Sequence, residues 1–184
     1  MTRQALILID IQHDYFPGGL RPLENVEQAA ANAARLLDAA RQAGDLVVHV
    51  RHEFQSDEAP FFRPGSPGAR IHDTVAPRGD EAQVLKHQVN AFEDTALQGL
   101  LEEENVREVT IVGSMSHMCI DAATRAAADL GYKVRVAHDA CATFALDFDG
   151  VQVPAAQVQA AFMAALAFAY AEVESTERLL AARR

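Results

Sequence analysis

The chain contains only two cysteines, Cys119 and Cys141, among its 184 residues. So few cysteines exclude the disulfide framework that stabilises many small secreted domains. No CxxC pair occurs, and a structural zinc site is therefore not expected. A GxGxxG motif is also missing after the first apolar run, where DIQHDYFPGG stands instead. Dinucleotide binding is for that reason poorly supported.

Basic residues and long hydrophobic runs are scarce as well. The 16 Lys and Arg residues face 26 Asp and Glu, and the formal net charge of -10 argues against non-specific binding to nucleic acid or to an anionic membrane. The N-terminal apolar run is too short for a secretory signal. The longest low-charge stretch, 151–171, contains a proline and several glutamines and has helical spacing, which favours a buried amphipathic helix over a membrane span. We expect a cytoplasmic protein.

Short apolar runs alternate with helical patterns along the whole chain. This alternation predicts an α/β fold, with one domain over 1–184 that forms a Rossmann-like three-layer α-β-α sandwich around a mostly parallel six-stranded sheet. The predicted strands are 5–9, 45–50, 82–86, 108–113, 133–140 and a short one within 171–175. Residues 51–80 are rich in proline, glycine and charge, and they predict a long loop of the kind that often carries function.

Three reactive side chains follow the predicted strands at one edge of the sheet, where such folds bind their ligands. Asp10 ends the first strand, Lys86 ends the third, and Cys119 opens the helix after the fourth. A helix N-terminus and an ammonium group both favour a nucleophilic thiolate, and a carboxylate can accept the thiol proton. Each residue alone has an ordinary structural interpretation, as a buried cysteine, a turn aspartate or a surface lysine. Their joint placement favours a shared catalytic site.

Three segments, in the same order along the chain, resemble the isochorismatase-like cysteine hydrolases, which include nicotinamidases, ureidoacrylate amidohydrolases and streptothricin hydrolase. The segments are ALILIDIQHDYFPGG, KHQVNAFEDTAL and VGSMSHMCIDAATRAAADLGYKVRVAHDACAT. The resemblance implies a triad in which Cys119 attacks the carbonyl carbon of a small-molecule amide. Asp10 would transfer the proton, and Lys86 would hold the charge of Asp10 and of the thiolate. No cofactor is implied.

The resemblance also implies how the reacting oxygen would be held. By position, the peptide bond between Ser114 and Met115 would be cis, and the N–H groups of Met115 and Cys119 would form the oxyanion hole. Backbone N–H groups at a helix start are suited to that role.

Four further residues are expected to line or flank a substrate pocket. Tyr15 stands where the family often places an aromatic ring against its substrate. Phe61 and Phe62 lie in the long loop and are predicted either to form a pocket wall or to pack beneath the loop. His117, two residues before the cysteine, is expected to be a pocket or interface residue and not a catalytic base.

The metal site of nicotinamidases is not expected here. They bind a metal through an aspartate and histidines just after the second strand, but His52 stands in place of the aspartate and Phe54 in place of the first histidine. His49, His52 and Glu53 are the alternative cluster. Residues 49 and 52 would face opposite sides of a strand, so His52 and Glu53 are instead expected to line the loop or to pair with Arg51.

Two other functions stay open at this point. Relatives that hydrolyse the vinyl ether of isochorismate lack the nucleophilic cysteine, which ranks that reaction lower. A non-enzymatic ligand-binding or redox-sensing protein is the third alternative. The apolar helix within 155–170 also predicts self-association, since it is hydrophobic around its whole circumference. The resemblance implies a dimer or tetramer.

Overall fold

The computed structural model of the chain describes residues 3–183. Six strands form the main sheet: β1 Arg3–Ile9, β2 Leu46–His52, β3 Ala82–Lys86, β4 Val106–Ser114, β5 Lys133–Ala142 and β8 Glu172–Glu174. Two short strands, β6 Leu146–Phe148 and β7 Val151–Val153, form a separate hairpin. The helices are α1 Val26–Ala43, α2 Leu97–Glu103, α3 Asp121–Asp129, α4 Ala155–Ala169 and α5 Thr176–Ala181.

The main sheet has the order β3-β2-β1-β4-β5-β8, and all of its neighbouring strands are parallel. The predicted α/β fold is therefore confirmed. The order runs outward from β1 in both directions, which makes the gap between the carboxyl ends of β1 and β4 the switch point of the sheet. Ligands of open α/β sheets bind at such a point. Asp10 directly follows β1, and Cys119 lies shortly after β4.

The central strand β1 is buried on both faces, as its continuous apolar run predicts. Leu6 and Leu8 belong to a core cluster with α1 and α5. Ile7 and Ile9 belong to a second cluster on the opposite face, with α2, α3 and α4. Because successive side chains of a strand point to opposite faces, one short run of residues joins both cores. The result is the predicted three-layer arrangement.

The loop after β2 is more ordered than its composition suggests. β2 continues to His52, and two short 3-10 turns, Pro67–Ala69 and Asp73–Val75, lie within the connection to β3. The strands predicted from the sequence do not include the hairpin of β6 and β7, although its turn carries an Asp149-Gly150 pair. Both turn residues have positive φ, 51° and 75°, which is the backbone that Asp-Gly hairpin turns favour.

Several large apolar side chains are exposed on the hairpin and on α4. Phe148 and Val151 protrude from the hairpin, and Phe168 of α4 is 92% exposed. On the same helix, Val158 and Leu166 are buried against the core. Self-association stays a prediction. Within residues 3–183, none of the helices combines the length and the apolar character that crossing a membrane requires.

Gly113 makes room for the close approach of β1 and β4. It has a φ of 125°, and a Cβ atom at this position would lie 1.9 Å from the carbonyl oxygen of Ile9.

Gly113→Ala is expected to lower the free energy of unfolding by about 3 kcal/mol, from backbone strain and overpacking. Gly99→Ala is the matched control, because nothing lies within 4 Å of its added methyl. Since Gly99 lies within α2, this change should stabilise by about 0.5–1 kcal/mol. Chemical denaturation would measure both, and equal effects of the two changes would contradict the expectation.

Candidate active site

Asp10 is the residue at which the chain leaves β1. Its backbone N–H donates to the carbonyl oxygen of Val50 at 2.9 Å, and its φ of 52° turns the chain out of the strand direction. Aspartate tolerates this left-handed conformation better than most side chains do. The carboxylate is fully buried, and a buried charge of this kind needs a partner.

Lys86 supplies that partner from the end of β3. Its Nζ lies 2.9 Å from Oδ2 of Asp10, and both side chains are withdrawn from solvent. Three further acceptors surround the same ammonium group: Nδ1 of His52 at 2.8 Å, the carbonyl oxygen of Gln88 at 3.0 Å and Sγ of Cys119 at 3.3 Å. Neither carboxylate oxygen of Asp10 receives a well-aligned hydrogen bond from residues 3–183, so the ion pair with Lys86 compensates its charge and leaves lone pairs free to accept a proton.

Cys119 lies in a π-helical turn, Ser116–Ile120, that leads from β4 into α3. The peptide bond between Ser114 and Met115 is cis. The carbonyl oxygen of Met115 accepts from the N–H groups of Met118 and Ile120, on either side of the cysteine in sequence. Cys119 is buried, and its Sγ lies within 4.8 Å of a carboxylate oxygen of Asp10. The structure therefore brings together the three residues that the sequence placed at neighbouring strand ends.

The surroundings of the resting thiol oppose its ionisation, whereas the sequence-based argument expected the helix start and Lys86 to favour a thiolate. Burial raises the pKa of Cys119, and the Asp10 carboxylate raises it further, while Lys86 works in the opposite direction. For Lys86, burial works against the charge and is the largest effect, but Asp10 and Cys119 together outweigh it, so the pKa of the lysine is raised. An ion pair of aspartate and lysine thus stands beside a neutral thiol. A base is required to activate that thiol.

His52 is the residue of the site whose role sequence reasoning missed. It pairs with Lys86 in the register of β2 and β3, and this places its Nδ1 against the ammonium group. Its backbone is fixed by the buried side chain of Gln12, which accepts from the His52 N–H and donates to the His52 carbonyl oxygen, both at 2.8 Å. Burial and the charge of Lys86 lower the pKa of His52 to about 4. The ring is therefore neutral at physiological pH.

Aromatic rings form one wall beside this cluster. The ring of Tyr15 lies 4.5 Å from that of Phe62 and 5.7 Å from that of Phe61, measured between centroids. Burial raises the pKa of Tyr15, and the charges of Asp10 and Cys119 contribute to the rise. Phe62 is a core residue whose N–H donates to a carboxylate oxygen of Asp14 at 2.7 Å, whereas Phe61 is half-buried. The sequence left two alternatives for this residue, a pocket wall or packing beneath the loop, and Phe62 packs beneath the loop.

His117 contacts a different set of residues. Its Nδ1 lies 2.7 Å from the hydroxyl of Thr143, and its ring meets those of Phe144 and Phe162 edge-on. The histidine is half-buried, and burial lowers its pKa. These contacts connect it to the end of β5 and to α4.

The residues after β2 do not make a nicotinamidase-type metal site. Nδ1 of His52 already accepts from Lys86, and the half-buried Phe54 packs its ring 4.6 Å from that of His52. Asp10, His52 and Cys119 do lie close enough to share an ion, but the Lys86 ammonium occupies the space among their donor atoms. A divalent cation there would meet a fixed positive charge.

The other two residues of the alternative cluster belong to separate ion pairs. Nε2 of the buried His49 lies 3.0 Å from Glu81, whose carboxylate also binds Arg41 of α1. Glu53 pairs with Arg51, as the sequence suggested.

The fold and the site define an α/β protein in which a buried aspartate, lysine and cysteine meet at the switch point of a parallel sheet. The chain belongs to the isochorismatase family, since the Isochorismatase domain model matches residues 4–177. Members of this family are hydrolases, and the chain is a hydrolase of that family.

Individual relatives cover between about three quarters of the chain and nearly all of it. The isochorismatase family protein YddQ of Bacillus subtilis is 48% identical over 96% of this chain and 98% of its own length. A maleamate amidohydrolase of Pseudomonas putida is 30% identical over 74% of this chain and 71% of its own length. Among solved structures, a protein of Oleispira antarctica is 58% identical and has a TM-score of 0.95, with 98% of this chain and 97% of the other covered.

Proposed function

We propose that the protein is a cysteine-dependent amidase that hydrolyses the C–N bond of a small-molecule amide through a thioester on Cys119. The observation that carries the proposal is the buried contact of three groups: Nζ of Lys86 lies 2.9 Å from the carboxylate of Asp10 and 3.3 Å from Sγ of Cys119. A neutral thiol beside a carboxylate with free lone pairs is suited to nucleophilic attack with concerted proton removal. The relationship to a maleamate amidohydrolase supports an amide as the substrate.

In the first half of the reaction, Asp10 takes the proton of the Cys119 thiol while sulfur bonds to the amide carbonyl carbon. The negative charge moves to the former carbonyl oxygen, where the N–H groups of Met115 and Cys119 would hold it. Protonated Asp10 then gives its proton to the amide nitrogen, the C–N bond breaks, and ammonia or an amine leaves. An acyl thioester remains on Cys119.

In the second half, water takes the place of the departed amine. Asp10 accepts one of its protons as the oxygen bonds to the thioester carbon, and the C–S bond breaks. The sulfur recovers the proton from Asp10, and a carboxylic acid is released. Throughout the cycle Lys86 stays protonated, because its ammonium offsets the negative charge whether that charge resides on Asp10 or on sulfur.

The surroundings of the thiol favour a small and neutral substrate. Only 5% of the surface of Cys119 is exposed, which leaves little room around the sulfur. The charges of Asp10 and Lys86 cancel, so the cluster does not offer an excess charge to attract an ion. We also propose a cytoplasmic location, because both cysteines are free and a working thiol requires a reducing compartment.

Trapping of the acyl-enzyme tests the proposal. The protein would be mixed with a panel of neutral primary amides, with the anionic maleamate for comparison, and ammonia release would identify those it hydrolyses. Acid quenching of those reactions should reveal, by intact mass and peptide mapping, one acyl group on Cys119.

A Cys141→Ala protein should form the same adduct, since Cys141 points its thiol to the carbonyl oxygen of Ala137 and not to the triad. An acyl group on any other residue, or turnover of a vinyl ether without an adduct, would contradict the amidase mechanism.

A further inference from the structure

The imidazole of His52 makes one side-chain hydrogen bond within residues 3–183, the contact of its Nδ1 with Nζ of Lys86 at 2.8 Å. Because the lysine is an ammonium donor, Nδ1 is the unprotonated nitrogen and Nε2 carries the ring hydrogen. Nε2 is shielded from solvent and has no hydrogen-bond partner in the same part of the chain. An unpaired donor in the interior is unfavourable, so packing alone would be better served by an apolar ring. The contact with Lys86 is therefore what a histidine provides at this position.

The ammonium group of Lys86 has three hydrogens, and three acceptors lie in well-aligned positions around it. They are Nδ1 of His52 at 2.8 Å, the carbonyl oxygen of Gln88 at 3.0 Å and Sγ of Cys119 at 3.3 Å. Oδ2 of Asp10 is 2.9 Å from the same nitrogen but does not receive an aligned hydrogen. Since the bonds of a tetrahedral nitrogen have fixed directions, two bound hydrogens determine the direction of the third. His52 and Gln88 thus direct the third hydrogen to the sulfur and not to the carboxylate.

The His52 acceptor is itself held in place by neighbouring strands. His52 pairs with Lys86 in the register of β2 and β3. The buried side chain of Gln12 accepts from the backbone N–H of His52 and donates to its carbonyl oxygen, both at 2.8 Å. Burial and the charge of Lys86 lower the pKa of the imidazole to about 4, with a smaller contribution from His87 and an opposing one from Asp10. The ring therefore stays neutral and able to accept at physiological pH.

We infer that His52 is a positioning residue of the reaction, whose Nδ1 holds the Lys86 ammonium in one orientation. In that orientation Lys86 stabilises negative charge on Sγ of Cys119 and leaves the Asp10 carboxylate free to accept the thiol proton. The inference rests on the proposed amidase function and adds a residue to it. An N–H already aimed at the sulfur needs no rearrangement when charge develops there. Without the His52 acceptor, the released hydrogen would turn to the Asp10 carboxylate, 2.9 Å away, and make it a weaker base.

Three substitutions separate the acceptor from the packing of the ring. His52→Asn and His52→Leu have side chains of the same shape, and the asparagine oxygen is bonded to Cγ as Nδ1 is, so this pair differs in polarity and not in size. His52→Phe keeps a ring but has no acceptor. In assays of amide hydrolysis, His52→Leu and His52→Phe should both lower kcat by about tenfold or more, because a hydrogen bond to a charged group is lost. KM should stay within about twofold. His52→Asn should keep kcat within about threefold of the wild type.

A role of His52 in packing alone predicts a different order of the variants. The ring of His52→Phe would then preserve kcat best, and His52→Asn and His52→Leu would lose activity equally. Either result would overturn the inference. Thermal melts would show that the compared proteins are folded. In the wild type, the nitrogen chemical shifts of the imidazole should show a hydrogen on Nε2 and none on Nδ1. A hydrogen on Nδ1 would overturn the inference even where the apolar variants do not fold.

NMR of Lys86 gives a reading that is independent of turnover. The chain contains only two lysines, Lys86 and the exposed Lys133, so selective labelling of lysine gives two ammonium signals, and a Lys133→Arg protein assigns them. His52→Leu should displace the Lys86 signal further than His52→Asn does, with Lys133 as the internal reference. If this pattern is found but no amide is hydrolysed, the amidase function fails and the hold of His52 on Lys86 stands. Equal displacement of the Lys86 signal in both variants would overturn the inference while leaving the amidase function intact.

Discussion

Replacing Cys119 with alanine is expected to lower kcat/KM for amide hydrolysis by about 10⁴-fold or more, because single deletions from a nucleophilic triad have effects of that size. Sγ of Cys119 is the proposed attacking atom, and the thioester cannot form without it. Ammonia release by the wild-type and variant proteins would measure the loss. The fold should survive, since alanine is smaller than cysteine and brings no polar atom into the core.

Cys141→Ala is the matched control for that experiment. Cys141 is also buried, burial also raises its pKa, and its thiol donates to the carbonyl oxygen of Ala137 at 3.3 Å. Its replacement removes the same atoms from the interior but should leave kcat/KM within about twofold. Similar losses in both variants would assign the effect to packing. A Cys119→Ala protein that keeps its rate would exclude the thioester mechanism.

Asp10→Asn is expected to lower kcat by about 10²- to 10⁴-fold, the usual contribution of a general acid-base group. The same change should make Cys119 more acidic. The Asp10 carboxylate raises the pKa of this thiol while Lys86 lowers it, so removal of the carboxylate leaves the ammonium effect unopposed. The variant should therefore hold more thiolate at neutral pH and yet hydrolyse amides more slowly.

These opposite directions distinguish a proton-transfer role from general damage to the site. The ultraviolet absorbance of the thiolate, followed as a function of pH in a Cys141→Ala background, should show the Cys119 titration moved to lower pH by Asp10→Asn. A thermal melt would verify folding, because Lys86 loses its buried counter-charge and keeps only neutral acceptors such as His52 and Gln88. An unchanged thiol titration, or a faster amide hydrolysis, would contradict the assigned role of Asp10.

The alternation of strands and helices, and the three strand-end residues, were readable from the sequence for a simple reason. Parallel strands place their carboxyl ends at one edge of a sheet, so residues that follow them meet even when they are far apart along the chain. Asp10, Lys86 and Cys119 needed only that rule and the resemblance of their segments to be assigned to one site. The boundaries were less accurate, as the extension of β2 to His52 shows.

Other features of the site depended on contacts that periodicity does not encode. His52 was considered as a metal ligand or a loop residue, but the register of β2 with β3 places it against Lys86. The raised pKa of Cys119 follows from the balance between burial, Asp10 and Lys86. That balance depends on distances and on the absence of water, and the order of residues along the chain determines neither.

The sequence by itself determined the parallel α/β sheet, the edge at which chemistry occurs and the three side chains that meet there, because these follow from residue patterns and strand direction. The tertiary structure decided which group carries each proton and which donor is left free. Those properties depend on burial and on contacts of 2.8–3.3 Å among groups from different elements of the fold. His52 illustrates the division: its position in the chain indicated a missing metal ligand, whereas its contacts show a buried imidazole with Nδ1 bound to Lys86 and Nε2 without a hydrogen-bond partner within residues 3–183.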